Sequence, residues 1–257
     1  MEWDLPTDRD SGLPLVLLPG TLCDETLWSS TLARDAVLAA RARPWPLAGR
    51  SVAQACEQLA ARLPRRFALA GFSLGAIVAL ALARRMPDRV AGLCLIAGNG
   101  RGLPPGQAPA RRETLRLAGE LGLGDYVRVH LWPRYVARAA LGDTPLREHI
   151  VAMAERAGLQ RYADQIEIAI HRRDSLPALP GLRLPALVVG GAQDAINPPA
   201  LQRELAEGIP GCQLLIVPDA GHFVPLETPD KLAAAMTGWL RRCDGARQDP
   251  SNAQDPA

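Results

Sequence analysis

The chain has 257 residues, of which 48% are hydrophobic, and a formal net charge of +2 at pH 7; it suits one sizeable α/β domain with an inserted subdomain, and its charge argues against nucleic acid or an anionic membrane surface as partner. Cys23, Cys56, Cys94, Cys212 and Cys243 are scattered and lack C-x-x-C spacing, so they read as free thiols in a reducing compartment rather than a disulfide framework or a zinc site. No apolar run is long enough to span a membrane and Met1-Glu2-Trp3-Asp4 is no signal peptide, so a cytoplasmic protein is expected.

Residues 1–12 are polar, with room for a short edge strand. Pro14-Leu15-Val16-Leu17-Leu18-Pro19 is an apolar run bounded by prolines, as expected of a strand buried on both faces. The turn-like Gly20-Thr21-Leu22-Cys23-Asp24-Glu25 leads into a helix near 26–32, and a short strand is expected at 42–47. Ser51 has the character of an N-cap for a helix reaching about 63.

Arg66 to Leu80 then compresses three elements into one stretch. The apolar run Phe67-Ala68-Leu69-Ala70 stops at Gly71-Phe72-Ser73-Leu74-Gly75 and continues as an Ala/Leu-rich helix closing at Met86-Pro87. Two glycines without a Cβ allow a turn tight enough to hold Ser73 in a strained conformation with its hydroxyl exposed. The helix N-terminus points its free N–H groups at the same spot.

A further buried strand is expected at 90–97. From Arg101 to about Leu182 there are only amphipathic helical segments, near 108–122, 124–141, 144–157 and 159–171. Strands return at 184–191 and 213–218, with helices near 199–207 and 229–242 and a polar, disordered tail from Asp244. The alternation predicts a mostly parallel sheet of six to eight strands wrapped by helices, formed by residues 1–100 and 183–243, with 101–182 inserted as a helical cap.

A serine hydroxyl needs a base. His130, His149 and His171 lie in the helical insertion, whereas His222, in Asp219-Ala220-Gly221-His222-Phe223, follows a strand at the sheet edge of Ser73. His222 is therefore the expected base. The carboxylate that orients it is expected to be Asp194, in Gly191-Ala192-Gln193-Asp194, which gives the chain order Ser, Asp, His. Asp219 is the rival, but it is so close to His222 in sequence that a role in shaping the turn suits it better. For the oxyanion hole, backbone N–H groups of Leu74 and Thr21 are expected, with Leu22 the next candidate and a substrate contact. Cys23 has no histidine near it in sequence and reads as a buried small residue.

These motifs resemble the α/β-hydrolase superfamily over nearly the whole chain, in layout the cap-bearing serine carboxylesterase branch that includes methyl-ester hydrolases of biotin synthesis. The resemblance implies nucleophile, acid and base at Ser73, Asp194 and His222. Two departures stand out: many members carry His-Gly in the oxyanion loop where this chain has Pro19-Gly20, and the N-terminal segment is short for the opening hairpin, so six or seven strands are expected. A serine at the nucleophile position disfavours relatives that open epoxides or remove halide with a carboxylate.

The expected activity is hydrolysis of a small-molecule carboxylic ester with a small-to-medium apolar acyl part, through an acyl-enzyme and with no cofactor or metal. The stripe holding Tyr126, Trp132 and Tyr135 is expected to contribute to the acyl pocket. Thioesters, lactones and acyl transfer from a carrier protein use near-identical triads, and a slow-turnover binding protein is the reading of a different class. The twelve arginines against nine acidic residues in 101–182, with Arg111, Arg112 and Arg116 close together, read first as a solvated helix face and only weakly as a carrier-docking surface.

Overall fold

The computed structural model describes residues 12–246. The edge strand expected within 1–12 lies, apart from Gly12, outside them, as does the tail from 247.

Six strands, β1 (Leu15–Leu18), β2 (Ala42–Pro44), β3 (Phe67–Phe72), β4 (Val90–Ile96), β5 (Ala186–Gly191) and β6 (Gln213–Val217), form one sheet of order β2-β1-β3-β4-β5-β6. Every pairing is parallel, so all six carboxyl ends lie on one edge, where open α/β sheets bind ligands. The central strands are apolar because both faces are covered. Leu15, Leu17, Ala70, Phe72 and Ile96 face one core layer, which holds Trp28 and Trp239. Val16, Leu18, Leu69, Leu93 and Leu95 face the other.

The first layer is covered by short helices α1 (Ser29–Leu32) and α2 (Ala36–Arg41) together with a long C-terminal helix, and the second by α3 (Val52–Ala60) and α4 (Leu74–Arg85). Ser51 caps α3 as expected, its hydroxyl accepting the Gln54 N–H at 3.1 Å. β2 is shorter than expected, ending at Pro44, which has no N–H to give the ladder, and the Trp45 N–H makes a last bond to Leu17 O at 2.9 Å.

Between β4 and β5 the regular elements are all helical: α5 (Ala108–Leu121), α6 (Leu123–Tyr126), α7 (Trp132–Tyr135) and α8 (Thr144–Ile170). The single helix expected at 124–141 is instead broken into α6, a wide π turn at Val127–Leu131, α7 and a 3-10 turn at Arg138–Ala140. Pro133 is one local reason, since it removes a backbone donor there. The two helices expected at 144–157 and 159–171 run together as α8, kinked where Gly158 adopts a φ of 77°. The chain closes with α9 (Pro199–Gly208), α10 (Val224–Glu227) and α11 (Pro229–Gly245). Helix α11 continues past Arg242 into the start of the expected tail because Asp244 is anchored, accepting from Arg41 Nη1 at 2.6 Å and the Leu13 N–H at 3.3 Å. No described helix is long and apolar enough to cross a membrane.

Candidate active site

Ser73 stands between β3 and α4 with φ 51° and ψ −109°, a left-handed conformation that costs a non-glycine residue energy. The turn is feasible only because its flanking residues are glycines: a Cβ on Gly71 would run into the Gly75 carbonyl, and one on Gly75 into the Leu18 carbonyl. The strain is held by tertiary bonds. The Ser73 N–H donates to Ile96 O at 2.8 Å, extending the β3–β4 ladder one residue beyond the strand.

The ladder is prolonged at the next strands in the same way. Ala97 N–H donates to Val189 O and Ala192 N–H to Val217 O, both at 2.8 Å, so the loops after β3, β4 and β5 start in register. This alignment brings together three residues far apart in sequence. His222 Nε2 is 3.0 Å from Ser73 Oγ, and His222 Nδ1 is 2.8 Å from Asp194 Oδ2. His222 and Asp194 are 3% and 4% exposed, so their contact is shielded from water. The second carboxylate oxygen of Asp194 accepts the N–H groups of Ile196 at 2.7 Å and Asn197 at 2.9 Å, which fixes the carboxylate plane. Asn197 is in turn tied to β4, donating from Nδ2 to Ala97 O at 2.7 Å.

The histidine loop is braced from the helical segment. The Tyr135 carbonyl accepts the His222 N–H at 2.8 Å and the Phe223 N–H at 3.2 Å. The rings of Phe72 and Tyr135 lie 5.0 and 6.0 Å from the imidazole, the latter stacked. Beneath the loop, Glu227 accepts the Gly221 N–H at 3.0 Å and the Ala137 N–H at 2.7 Å, joining the two segments. Burial pushes the Glu227 carboxyl above the usual range, against the pull of those N–H donors and the nearby imidazole. Asp219, by contrast, is exposed and bonded to Lys231, which holds its carboxyl below the usual range.

On the opposite side of Ser73 the loop after β1 carries Thr21 and Leu22. Neither the Thr21 nor the Leu74 N–H donates to an acceptor among the described residues, and both residues line the cavity of Ser73. Leu22 is different. It adopts a φ of 58°, is buried, and its N–H donates to Gln165 Oε1 of α8 at 2.9 Å. Cys23 is buried too, and burial pushes its thiol far above its ordinary pKa, which makes it inert.

The cavity above Ser73 has a volume of about 180 Å³, and its wall combines the sheet edge with α5, α7 and α8. Tyr126 and Tyr135 line it; Leu22 and Trp132 do not. The Trp132 indole instead donates to Leu141 O at 3.1 Å and packs within the helical segment. Several lining residues had no sequence signal pointing to them: Ile77 of α4, Asn197, Arg134 and Arg172; Arg111, of the basic cluster noted in the sequence, lines it as well. Of the other histidines, His130 lies against the Tyr126 ring at 5.5 Å and His171 against Glu167 at 3.2 Å. Among the described residues, no three His, Cys, Asp or Glu side chains converge as metal ligands would.

The sequence model of the Alpha/beta hydrolase family matches residues 15–235. A pimeloyl-[acyl-carrier protein] methyl ester esterase of Neisseria meningitidis serogroup B is 29% identical over 195 residues, 74% of either chain. Among solved structures, a thermophilic esterase from Thermogutta terrifontis superposes with a TM-score of 0.79 at 28% identity, over 91% of both chains. The enol-lactonase of Burkholderia xenovorans LB400 does so with a TM-score of 0.76 at 25% identity, over 91% of this chain and 94% of its own. A tight, strained strand–turn–helix junction at the carboxyl edge of an all-parallel sheet, with a family match running from β1 into α11, leaves one conclusion: the chain belongs to the alpha/beta hydrolase family.

Proposed function

We propose that the protein is a serine carboxylic-ester hydrolase in which Ser73 is the nucleophile, His222 the general base and acid, and Asp194 the residue that holds the imidazole in its working tautomer. The hydrogen-bonded chain Ser73–His222–Asp194 carries this reading. Asp194 accepts a hydrogen bond from Nδ1–H and keeps the proton on that nitrogen, which leaves Nε2 free to take the proton of Ser73 Oγ as the oxygen attacks the ester carbonyl. Charge then builds on the carbonyl oxygen, for which the N–H groups of Leu74 and Thr21 are the available donors; Leu22 is not, because Gln165 occupies its N–H. The imidazolium returns its proton to the departing alkoxide, leaving Ser73 acylated. A water activated by His222 on the same path then hydrolyses the acyl-enzyme.

In this reading residues 101–182 act as a cap over Ser73. Tyr126, Tyr135, Leu131 and Ile166 give the cavity an apolar part suited to a small-to-medium acyl chain. The name of the Neisseria relative favours one alternative, an ester of an acyl chain borne on a carrier protein. The test is a screen of esters, thioesters and lactones over a range of acyl lengths, with burst kinetics. Multiple turnovers of esters, abolished in Ser73→Ala, are expected; a single turnover at most identifies a binding protein.

A further inference from the structure

The cavity above Ser73 is lined by Arg111, Arg134 and Arg172 and by no aspartate or glutamate. All three come from the helical segment: Arg111 from α5, Arg134 from α7, and Arg172 just past the end of α8. An arginine-rich sequence places many guanidinium groups on its surface, and several of those nearby are neutralised. Arg112 pairs with Glu167 at 3.1 Å, Arg116 with Glu113 and Glu120, and Arg101 with Glu204 at 2.8 Å. Among the described residues, Arg111, Arg134 and Arg172 form no ion pair with a carboxylate.

Arg172 is also held in place. Its Nε donates to Arg101 O at 2.9 Å and its Nη1 to Ala169 O at 2.8 Å, leaving Nη2 without an acceptor among the described residues. Burial first, and the charge of Arg111 second, lower the pKa of Arg172, so two like charges face one another without a counterion. Such an arrangement is unfavourable in the free protein and becomes favourable once an oxyanion sits between the guanidinium groups.

We propose that Arg111, Arg134 and Arg172 form an anion-binding wall, so that the ester cleaved at Ser73 carries a second, negatively charged oxyanion group on the part held against the helical segment. This inference rests on the ester-hydrolase reading above and adds the substrate class to it. An apolar chain with a charged far end fits the cavity, whose aromatic side chains and guanidinium groups share one wall. Carboxylate and phosphate offer the same chemistry to a guanidinium fork, and both are tested.

The experiment compares kcat/KM for monomethyl esters of dicarboxylic acids with methyl alkanoates of equal length, for the wild type and for Arg111→Gln, Arg134→Gln and Arg172→Gln. The wild type should prefer the anionic series. Each variant should reduce that preference, about tenfold for Arg172→Gln, and added salt should reduce it in the wild type. Arg112→Gln, whose partner is Glu167, should leave the ratio unchanged. In parallel, adipate and inorganic phosphate are titrated into Ser73→Ala by calorimetry. Binding of either that is lost in the Ser73→Ala/Arg172→Gln double variant supports the wall, and the tighter of the two names the group. Equal turnover of both ester series, unaltered by the three variants, with no anion binding, overturns the inference while leaving ester hydrolysis intact. Anion binding without turnover of any ester sustains the wall and overturns the hydrolase reading instead.

Discussion

The side-chain oxygen of Gln165 accepts the Leu22 N–H at 2.9 Å, a bond between residues 143 apart in sequence. It ties α8 to the loop after β1 and holds Leu22 at its positive φ of 58°. With Leu22 so engaged, Thr21 is the residue of that loop left to face a substrate. Gln165→Met keeps the volume and removes the acceptor. It leaves a buried N–H unsatisfied, which should cost about 1–3 kcal/mol of stability. A displaced Thr21 donor should lower kcat by about 10- to 100-fold with a smaller change in KM. Denaturant titration and steady-state kinetics measure both; an unchanged kcat would show that the loop keeps its orientation without Gln165.

Replacing Ser73 by alanine should preserve the fold and reduce turnover by roughly three or more orders of magnitude. A fluorophosphonate should label the wild type once, at Ser73, as read by peptide mass spectrometry. Labelling at any other residue would remove Ser73 from the nucleophile role.

Asp194 and Asp219 separate by geometry, since only Asp194 reaches the imidazole. Asp194→Asn should lower kcat by roughly 10³- to 10⁴-fold by favouring the wrong tautomer, and Asp219→Asn by less than about twofold, as expected of an exposed residue outside the site. The reverse ranking of the two variants would transfer the acid role to Asp219.

Asp24 gives a stability signature. Burial disfavours its charged form, but hydrogen bonds from Arg156 at 2.7 Å and from the Thr26 hydroxyl and N–H outweigh it, so its carboxyl titrates below the usual range. A depressed folded-state pKa stabilises the protein above the unfolded-state value, and this contribution disappears as pH falls through the folded one. Asp24→Asn should therefore be less stable than the wild type at pH 7, by about 0.5–1 kcal/mol for a pair whose arginine is half exposed. The gap should begin to narrow below about pH 3.9, the unfolded aspartate value, and close only once the pH falls below the lower folded-state value. Urea denaturation at the two pH values reads it, and a gap that persists in acid would exclude the charge as its origin.

Tyr126 lines the cavity and Trp132 does not. Tyr126→Ala should shift the preferred acyl chain length, each methylene accommodated being worth roughly 1–3 kcal/mol in kcat/KM. Trp132→Ala should lower stability without moving the profile. An ester series run on both folded variants decides it; a profile shifted only by Trp132→Ala would place the pocket wall elsewhere.

The parallel α/β architecture and the residues at its edge were legible in the sequence because their causes are local or topological. The turn at Ser73 is dictated by two glycines within five residues, and the positions of Asp194 and His222 follow from parallel strands all ending on one side. Periodicity likewise located α5 and the two halves of α8 with the break at Gly158, though not the division of 124–141 into short turns. What only the tertiary structure decided are contacts between segments far apart in the chain: Gln165 on Leu22, Glu227 joining Gly221 to Ala137, and the sorting of arginines into ion-paired and cavity-facing. Tyr126 and Trp132 are sorted in the same way, Tyr126 facing the cavity and the Trp132 indole turned to the Leu141 carbonyl. A side chain's type and spacing state what it can bind, but its partner depends on which helix face the packed core turns towards it, and that direction is a property of the whole fold.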